Sequence, residues 1–198
     1  MFKLIMGKKE IFEKISEQIT NCSKCDLNKT RNNAVPGSGS IDTDILFIGE
    51  APGRNEDLKG KPFVGRAGKI LDDLIESIGL KREDIFITNI IKCRPPNNRN
   101  PQKNEIKTCT PYLEKQIEII NPKIICPLGS FASSYILEKY NQKIEKISKI
   151  HGGKIVIKNI YGNLIIIPLY HPAVATYNPN TKVILLEDFK KIKECLKN

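Results

Sequence analysis

A chain of 198 residues is long enough for one domain with a substantial core and too short for two ordinary ones. Its 40% hydrophobic and 27% charged residues are ordinary for a soluble protein. No stretch approaches the roughly twenty apolar residues of a membrane span, and a net charge of +10 favours polyanions, although part of the lysine excess reads as plain solubilising surface.

In chain order, the start MFKLIMGKKE is too short an apolar run for a signal peptide. The expectation is a cytoplasmic protein with no membrane role, whose thiols stay reduced. Ile11, Phe12, Ile15 and Ile19 recur at helical spacing, and a polar loop follows from Asn21 to Thr43. DILFIG (Asp44 to Gly49) is a short continuous apolar run ended by a turn, the pattern of a buried strand. Ile70, Leu71, Leu74, Ile75 and Ile78 form one helical face closed by Gly79. DIFITNI (Asp84 to Ile90) and KIICPLG (Lys123 to Gly129) predict the second and third strands, with a helix over Gln102 to Ile120 between them. Ile144 to Ile160, with its Gly152-Gly153 pair, predicts a hairpin or irregular excursion. LIIIPLYHP (Leu164 to Pro172) is the fourth strand, and Val183 to Leu196 a closing amphipathic helix.

Short buried strands alternating with helices predict an α/β fold, a three-layer sandwich with a central four-stranded parallel sheet covered by helices on both faces. Neither an internal repeat nor a linker divides it, so residues 1–198 read as a single domain with an N-terminal helix and a thiol-bearing loop. In such sheets ligands collect outside the carboxyl ends of the strands. The stretches that follow the strands are GEAPGRNED, TNIIKCRPPNNRNP, CPLGS and YHPAVATYNP.

Four of the six cysteines pair as Cys22 with Cys25, in C-x-x-C, and Cys93 with Cys109, sixteen positions apart. Four thiolates bind zinc or an iron–sulfur cluster equally well, and the wide second spacing mildly favours the cluster. Cys126, inside an apolar strand, and Cys195, on a helix, read as small hydrophobes.

The ordered set CSKC, GEAPGRNED, GKPFVGRAGKIL, TNIIKCRPPNNRNP, Cys109, PLGS and HPA resembles the family 4, iron–sulfur uracil-DNA glycosylases, from about Asn21 to Pro179. The resemblance implies a [4Fe–4S] cluster on Cys22, Cys25, Cys93 and Cys109, with zinc as the less favoured occupant. It also implies uracil-containing DNA as substrate. A sliding clamp or another repair protein is the further partner it leaves open, and the chain is expected to be a monomer.

Uracil excision demands a base out of the stack, held by stacking and by hydrogen bonds to its edge. Phe63, in a Pro-Phe-Val-Gly loop, is the candidate stacking face; without the motif it is equally one more core aromatic. Asn89, at the end of the second strand, offers the donor and acceptor that match O4 and N3–H of uracil and mismatch cytosine. His171 directly follows the fourth strand, and aimed at O2 it would stabilise charge as the glycosidic bond breaks. His151 reads as a loop residue.

In other uracil glycosylases the first motif carries an Asp two residues after its Gly; here that position is Ala51. Water handling then falls to Glu50 or Glu56 as a hypothetical base, or to backbone groups of Gly49 to Gly53. The resemblance places Gly49, Ala51 and Glu56 in the pocket wall, Glu56 against the thymine methyl position. Arg94, Arg99, Arg54 and Arg66 cluster in the proposed loops as phosphate contacts. After HPA, where relatives commonly carry bulky aliphatics and an Arg that wedge into the duplex, this chain has VATYNP, and Tyr177 is expected to stack there. The activity expected is monofunctional hydrolysis leaving an abasic site, since the motifs place no lysine as a Schiff-base nucleophile. A non-catalytic iron–sulfur DNA-binding accessory protein is the alternative, and an electron carrier a third class.

Overall fold

The computed structural model describes residues 7–159 and 162–196. The apolar start of the chain through Met6 and the end of the predicted excursion at Ile160 lie outside the described residues.

The sheet is built from β1 (Ser38–Gly39), β2 (Ile45–Gly49), β3 (Phe86–Asn89), β4 (Ile124–Pro127), β5 (Ile155–Asn159) and β6 (Gly162–Ile166), in the order β1-β3-β2-β4-β6-β5. The four expected strands form its parallel centre, and β1 and β5 add antiparallel edges. The expected four-stranded sheet is therefore the middle of a six-stranded one. β1 is only two residues of Ser and Gly, with no apolar pattern to announce it. The predicted excursion contains a helical turn followed by β5, which hairpins onto β6.

Every central strand is apolar on both faces because both are covered. In β2, Leu46 and Ile48 join the core beneath α1 (Lys8–Thr20), α4 (Lys103–Ile120) and α5 (Gly129–Lys139). Ile45 and Phe47 join the opposite core beneath α3 (Arg66–Ser77) and α7 (Pro179–Cys195). α7 contributes Leu185, Phe189 and Ile192, all fully buried, with Phe189 stacked on Phe47 at 5.6 Å; each such side chain contributes about 2 kcal/mol. Gly79, at φ +80°, ends α3 as expected, its N–H bonded to the Glu76 carbonyl. Two helices went unpredicted: short α2 (Arg54–Lys59) and α5, whose Gly-Ser-Phe-Ala-Ser-Ser start carries little amphipathic pattern. The last short turn of helix, α6 (Ile147–Ile150), sits within the excursion. Among the described residues no helix is long and apolar enough to cross a membrane.

Strand register positions the site. Gly49 and Asn89 are lateral partners at the carboxyl ends of β2 and β3. Beyond β4 and β6, Leu128 bridges Leu169 and the Gly129 N–H bonds the Leu169 carbonyl at 2.8 Å. That pairing sets His171 beside Gly129, two residues past the bridge.

Candidate active site

A cavity of about 460 Å³ opens at these strand ends, walled by Glu50, Ala51, Gly53, Glu56, Phe63, Asn89, Arg99 and His171 among others. Phe63, Asn89 and His171 therefore meet in one space. The Phe63 and His171 rings lie 5.6 Å apart and nearly parallel. Gly49, expected in the cavity wall, is not part of its lining but packs against Asn89 and Phe63: a Cβ there would collide with Asn89 Oδ1 and with the Phe63 ring. No side chain but hydrogen leaves room for both.

Phe63 is held in the left-handed region, at φ +50°, unusual for an aromatic residue and costing about 1 kcal/mol or more. Its surroundings enforce it. Glu56 Oε1 accepts the N–H groups of Val64 at 2.9 Å and Gly65 at 3.1 Å. Arg82 donates to the Pro62 carbonyl and pairs with Asp72 at 2.6 Å. Gly68 lets α3 start directly against the Phe63 carbonyl. Glu56 thus lines the cavity, but its carboxylate is occupied in fixing the loop that carries the aromatic ring. That engagement, and the supporting Arg82 and Gly68, are tertiary and carry no motif signature.

Asn89 is 2% exposed, and among the described residues nothing bonds its side-chain amide. A buried amide left open toward a cavity is a recognition group in waiting. His171 Nδ1 accepts the N–H of Ala173 at 3.2 Å, capping the short helical turn Pro172–Thr176. That contact assigns the neutral ring's proton to Nε2, leaving a donor. Burial holds the imidazole below its ordinary pKa, opposed by the nearby Glu56 charge, so the ring is neutral at neutral pH.

Glu50 lines both this cavity and a neighbouring one that shares His171 and the start of α5. Burial raises its carboxyl above the ordinary value. The Gly49, Glu50 and Gly53 carbonyls each accept one N–H, of Ile90, Ile91 and Asp57 respectively. Ala51 presents no polar group, as its sequence requires.

The expected phosphate contacts differ in availability. Arg54 and Arg66 are exposed at the starts of α2 and α3, and Arg94 bonds Asn98 Oδ1 at 2.7 Å. Arg99 reaches the cavity, but its fork is taken up by Glu105, a buried carboxylate at 2.5 and 2.9 Å, so its first task is to anchor the loop to α4. Glu105 also closes the α4 capping box through the Gln102 N–H at 2.7 Å. Tyr177 is 85% exposed, its N–H bonded to the Val174 carbonyl at 3.3 Å, and is not among the residues lining the cavity.

The four thiols of Cys22, Cys25, Cys93 and Cys109 line one small cavity with Ile19, Arg31, Lys92 and Tyr112. Arg31 Nη1 donates to Cys93 Sγ at 2.8 Å while its other nitrogen holds the Thr20 and Cys22 carbonyls, stitching the N-terminal loop to the loop after β3. The Lys92 N–H donates to Cys109 Sγ at 3.2 Å. Burial pushes both thiols up, Cys109 to about 11, and draws the Lys92 ammonium down to about 7 against the pull of the thiols. Among the described residues no three His, Cys, Asp or Glu side chains converge on one single-ion position. Arg31 and Lys92 were not foreseen; the adjacency of Lys92 to Cys93 in an otherwise apolar run was the available signal.

The sequence matches the model of the Uracil DNA glycosylase superfamily over residues 36–197. It is 55% identical to a type-4 uracil-DNA glycosylase of Saccharolobus solfataricus over 92% of this chain and 85% of that protein. Another type-4 uracil-DNA glycosylase, from Archaeoglobus fulgidus, is 46% identical over 93% of each chain. That of Thermotoga maritima is 42% identical over 96% of this chain and 97% of its own. With an α/β sheet of this order, a cavity at its carboxyl edge and matches spanning nearly the full length, the chain belongs to the uracil DNA glycosylase superfamily and, within it, to the type-4 uracil-DNA glycosylases.

Proposed function

We propose that this chain excises uracil from DNA by hydrolysing the bond between N1 of the base and C1′ of the sugar, releasing free uracil and leaving an abasic site. The observation that carries the reading is the convergence of Phe63, Asn89 and His171 on one cavity, with the Asn89 amide unpartnered among the described residues and a histidine proton free on Nε2.

In this reading the flipped base stacks on Phe63, whose fixed loop presets the ring before the base arrives. Asn89 donates to O4 and accepts from N3–H, a pattern that cytosine reverses. As the N1–C1′ bond breaks, its electron pair moves onto the base toward O2, and the sugar becomes oxocarbenium-like. The His171 Nε2–H donates to that oxygen and is worth most as its charge develops. Glu50 takes the proton of the water that attacks C1′. No lysine lines the cavity among the described residues, in keeping with a monofunctional hydrolase. Arg54, Arg66 and Arg94 hold phosphates, Arg99 orders the loop beside them, and Tyr177 stacks at the rim where the base departs.

The four thiols fit an iron–sulfur cluster. The donor set is all sulfur, and the Arg31 guanidinium and the Lys92 main-chain N–H each donate to one of the sulfurs, as anionic thiolates require. The Lys92 ammonium has only neutral oxygen partners, so thiolates provide the missing negative charge. When bound, such a cluster would cross-link the α1 loop, the loop after β3 and α4; its contribution is structural.

The test is incubation of purified protein with an oligonucleotide bearing one uracil, followed by alkali, alongside a cytosine control. Strand scission only at uracil is expected. Binding without scission would favour a non-catalytic DNA-binding protein.

A further inference from the structure

We propose that Lys92 couples the four-thiol site to the base pocket, acting as a positioning residue that holds the strand end presenting Asn89. The proposal rests on the reading above, in which Asn89 contacts uracil and the thiols hold a cluster.

Lys92 is 1% exposed and among the largest fully buried side chains. Its Nζ donates to the Asn89 carbonyl, Thr88 Oγ1 and Gln116 Oε1, each at 2.7 Å. Its own N–H donates to Cys109 Sγ, and its carbonyl accepts the Val35 N–H at 2.7 Å. The two side-chain partners of the ammonium reinforce the same junction: Gln116 Nε2 and Thr88 Oγ1 both donate to the Pro36 carbonyl, at 2.8 and 3.0 Å. One residue therefore touches a candidate metal ligand with its main chain and the backbone of the base-reading residue with its side chain.

The choice of a lysine here needs an explanation, because packing alone would be served by Met. Met could fill the space but could not donate to Thr88, the Asn89 carbonyl and Gln116 at once. The main-chain N–H of the same residue is fixed on Cys109 Sγ, so immobilising that sulfur immobilises the root of the Lys92 side chain. Arg31 holds Cys93 with its guanidinium, whereas Lys92 holds Cys109 with its main-chain N–H. A loaded site thus favours Lys92 in place, and Lys92 in place pins the Asn89 carbonyl, so that the amide stays aimed into the cavity. Such coupling is reciprocal: what stabilises the strand end also stabilises the loaded thiols.

Lys92→Met removes the charge and all three donors at nearly equal length. Three readouts apply to the metal-loaded protein. The cluster absorption of the variant should bleach under an iron chelator about tenfold faster than wild type. Single-turnover uracil excision should fall about tenfold or more, with oligonucleotide affinity unchanged within twofold. The double variant with Asn89→Ala should excise no more slowly than Asn89→Ala alone, measured on its residual single-turnover rate, because Lys92 acts through Asn89; independent structural damage would multiply the two losses. Wild-type bleaching and excision in Lys92→Met, or multiplied losses in the double variant, would overturn the proposal. If far-ultraviolet circular dichroism shows Lys92→Met unfolded, Gln116→Leu, which keeps the lysine and deletes one acceptor, takes its place with about threefold effects expected and wild-type behaviour overturning the idea. A wild type lacking iron or releasing no uracil sinks the parent reading and this one together. A competent wild type with an indifferent Lys92 variant sinks this one alone.

Discussion

Gly49→Ala tests the pocket geometry with one methyl group. Gly49 is not in the left-handed region, so alanine suffers no backbone strain there and the effect is purely steric. The added Cβ would lie 2.9 and 3.0 Å from Phe63 Cε2 and Cζ, and closer still to Asn89 Oδ1, whereas ordinary contact begins at 3.4 Å. The ring must retreat by about half an ångström and the amide by about 1 Å, in a strand end too well packed to yield freely. A misplacement of about 1 Å in a positioning group costs on the order of 100-fold in rate, equivalent to about 2.7 kcal/mol of transition-state stabilisation. The assay is single-turnover release of uracil from an end-labelled oligonucleotide, with iron content and thermal midpoint measured on the same preparation. The thiols lie outside the cavity lining, so both controls should stay near wild type. Excision within threefold of wild type would refute the placement of Asn89 and Phe63 against one base. A rate loss matched by loss of iron or of folded protein would refute the steric explanation.

Other outcomes follow from the same geometry. His171→Ala should lose 100- to 1000-fold in excision with DNA binding retained, read by single-turnover kinetics against filter binding. Because burial holds the folded-state pKa of His171 down, the unfolded chain takes up that proton first, at the ordinary value of 6.5. Stability should therefore fall as pH drops below about 6.5, and His171→Gln should flatten that slope in denaturant titrations at stepped pH. Burial raises the Glu50 carboxyl, so activity requiring its ionised form should decline with falling pH from above the ordinary carboxylate value of 4.5. Glu50→Gln should lower the rate and remove that limb from the kcat/KM profile; an unchanged profile would assign the water to another group. On the proposed cluster, Cys93→Ala should abolish its visible absorption. Opening a clip between Cys25 and Cys93 should cost about 4 kcal/mol by the loop-closure argument, or roughly 10 °C in thermal midpoint, and scanning calorimetry of variant and wild type measures it.

The four parallel strands were legible because each is a continuous apolar run ending in Gly, Asn or Pro, and both faces of such a strand must be covered by apolar layers. Phe63, Asn89, His171 and the four thiols were named by the resemblance that the short motifs carry, and apolar strands followed by polar loops mark the carboxyl edge of the sheet, where ligands gather. What the linear order could not specify is which groups meet. The left-handed Phe63 depends on a carboxylate seven residues away, on Arg82 and on the hydrogen of Gly68, none of them neighbours in an extended chain. The proton on His171 Nε2 follows from one backbone contact at Nδ1. Arg99, a phosphate contact by its loop, became a partner of Glu105 once α4 was laid beside it. Lys92, one more lysine among many along the chain, proved to be a buried strut between thiol and strand end. Periodicity and turn chemistry are local and are written in the order of residues, whereas steric exclusion, tautomer and charge pairing depend on distances through space, which only the packed fold sets.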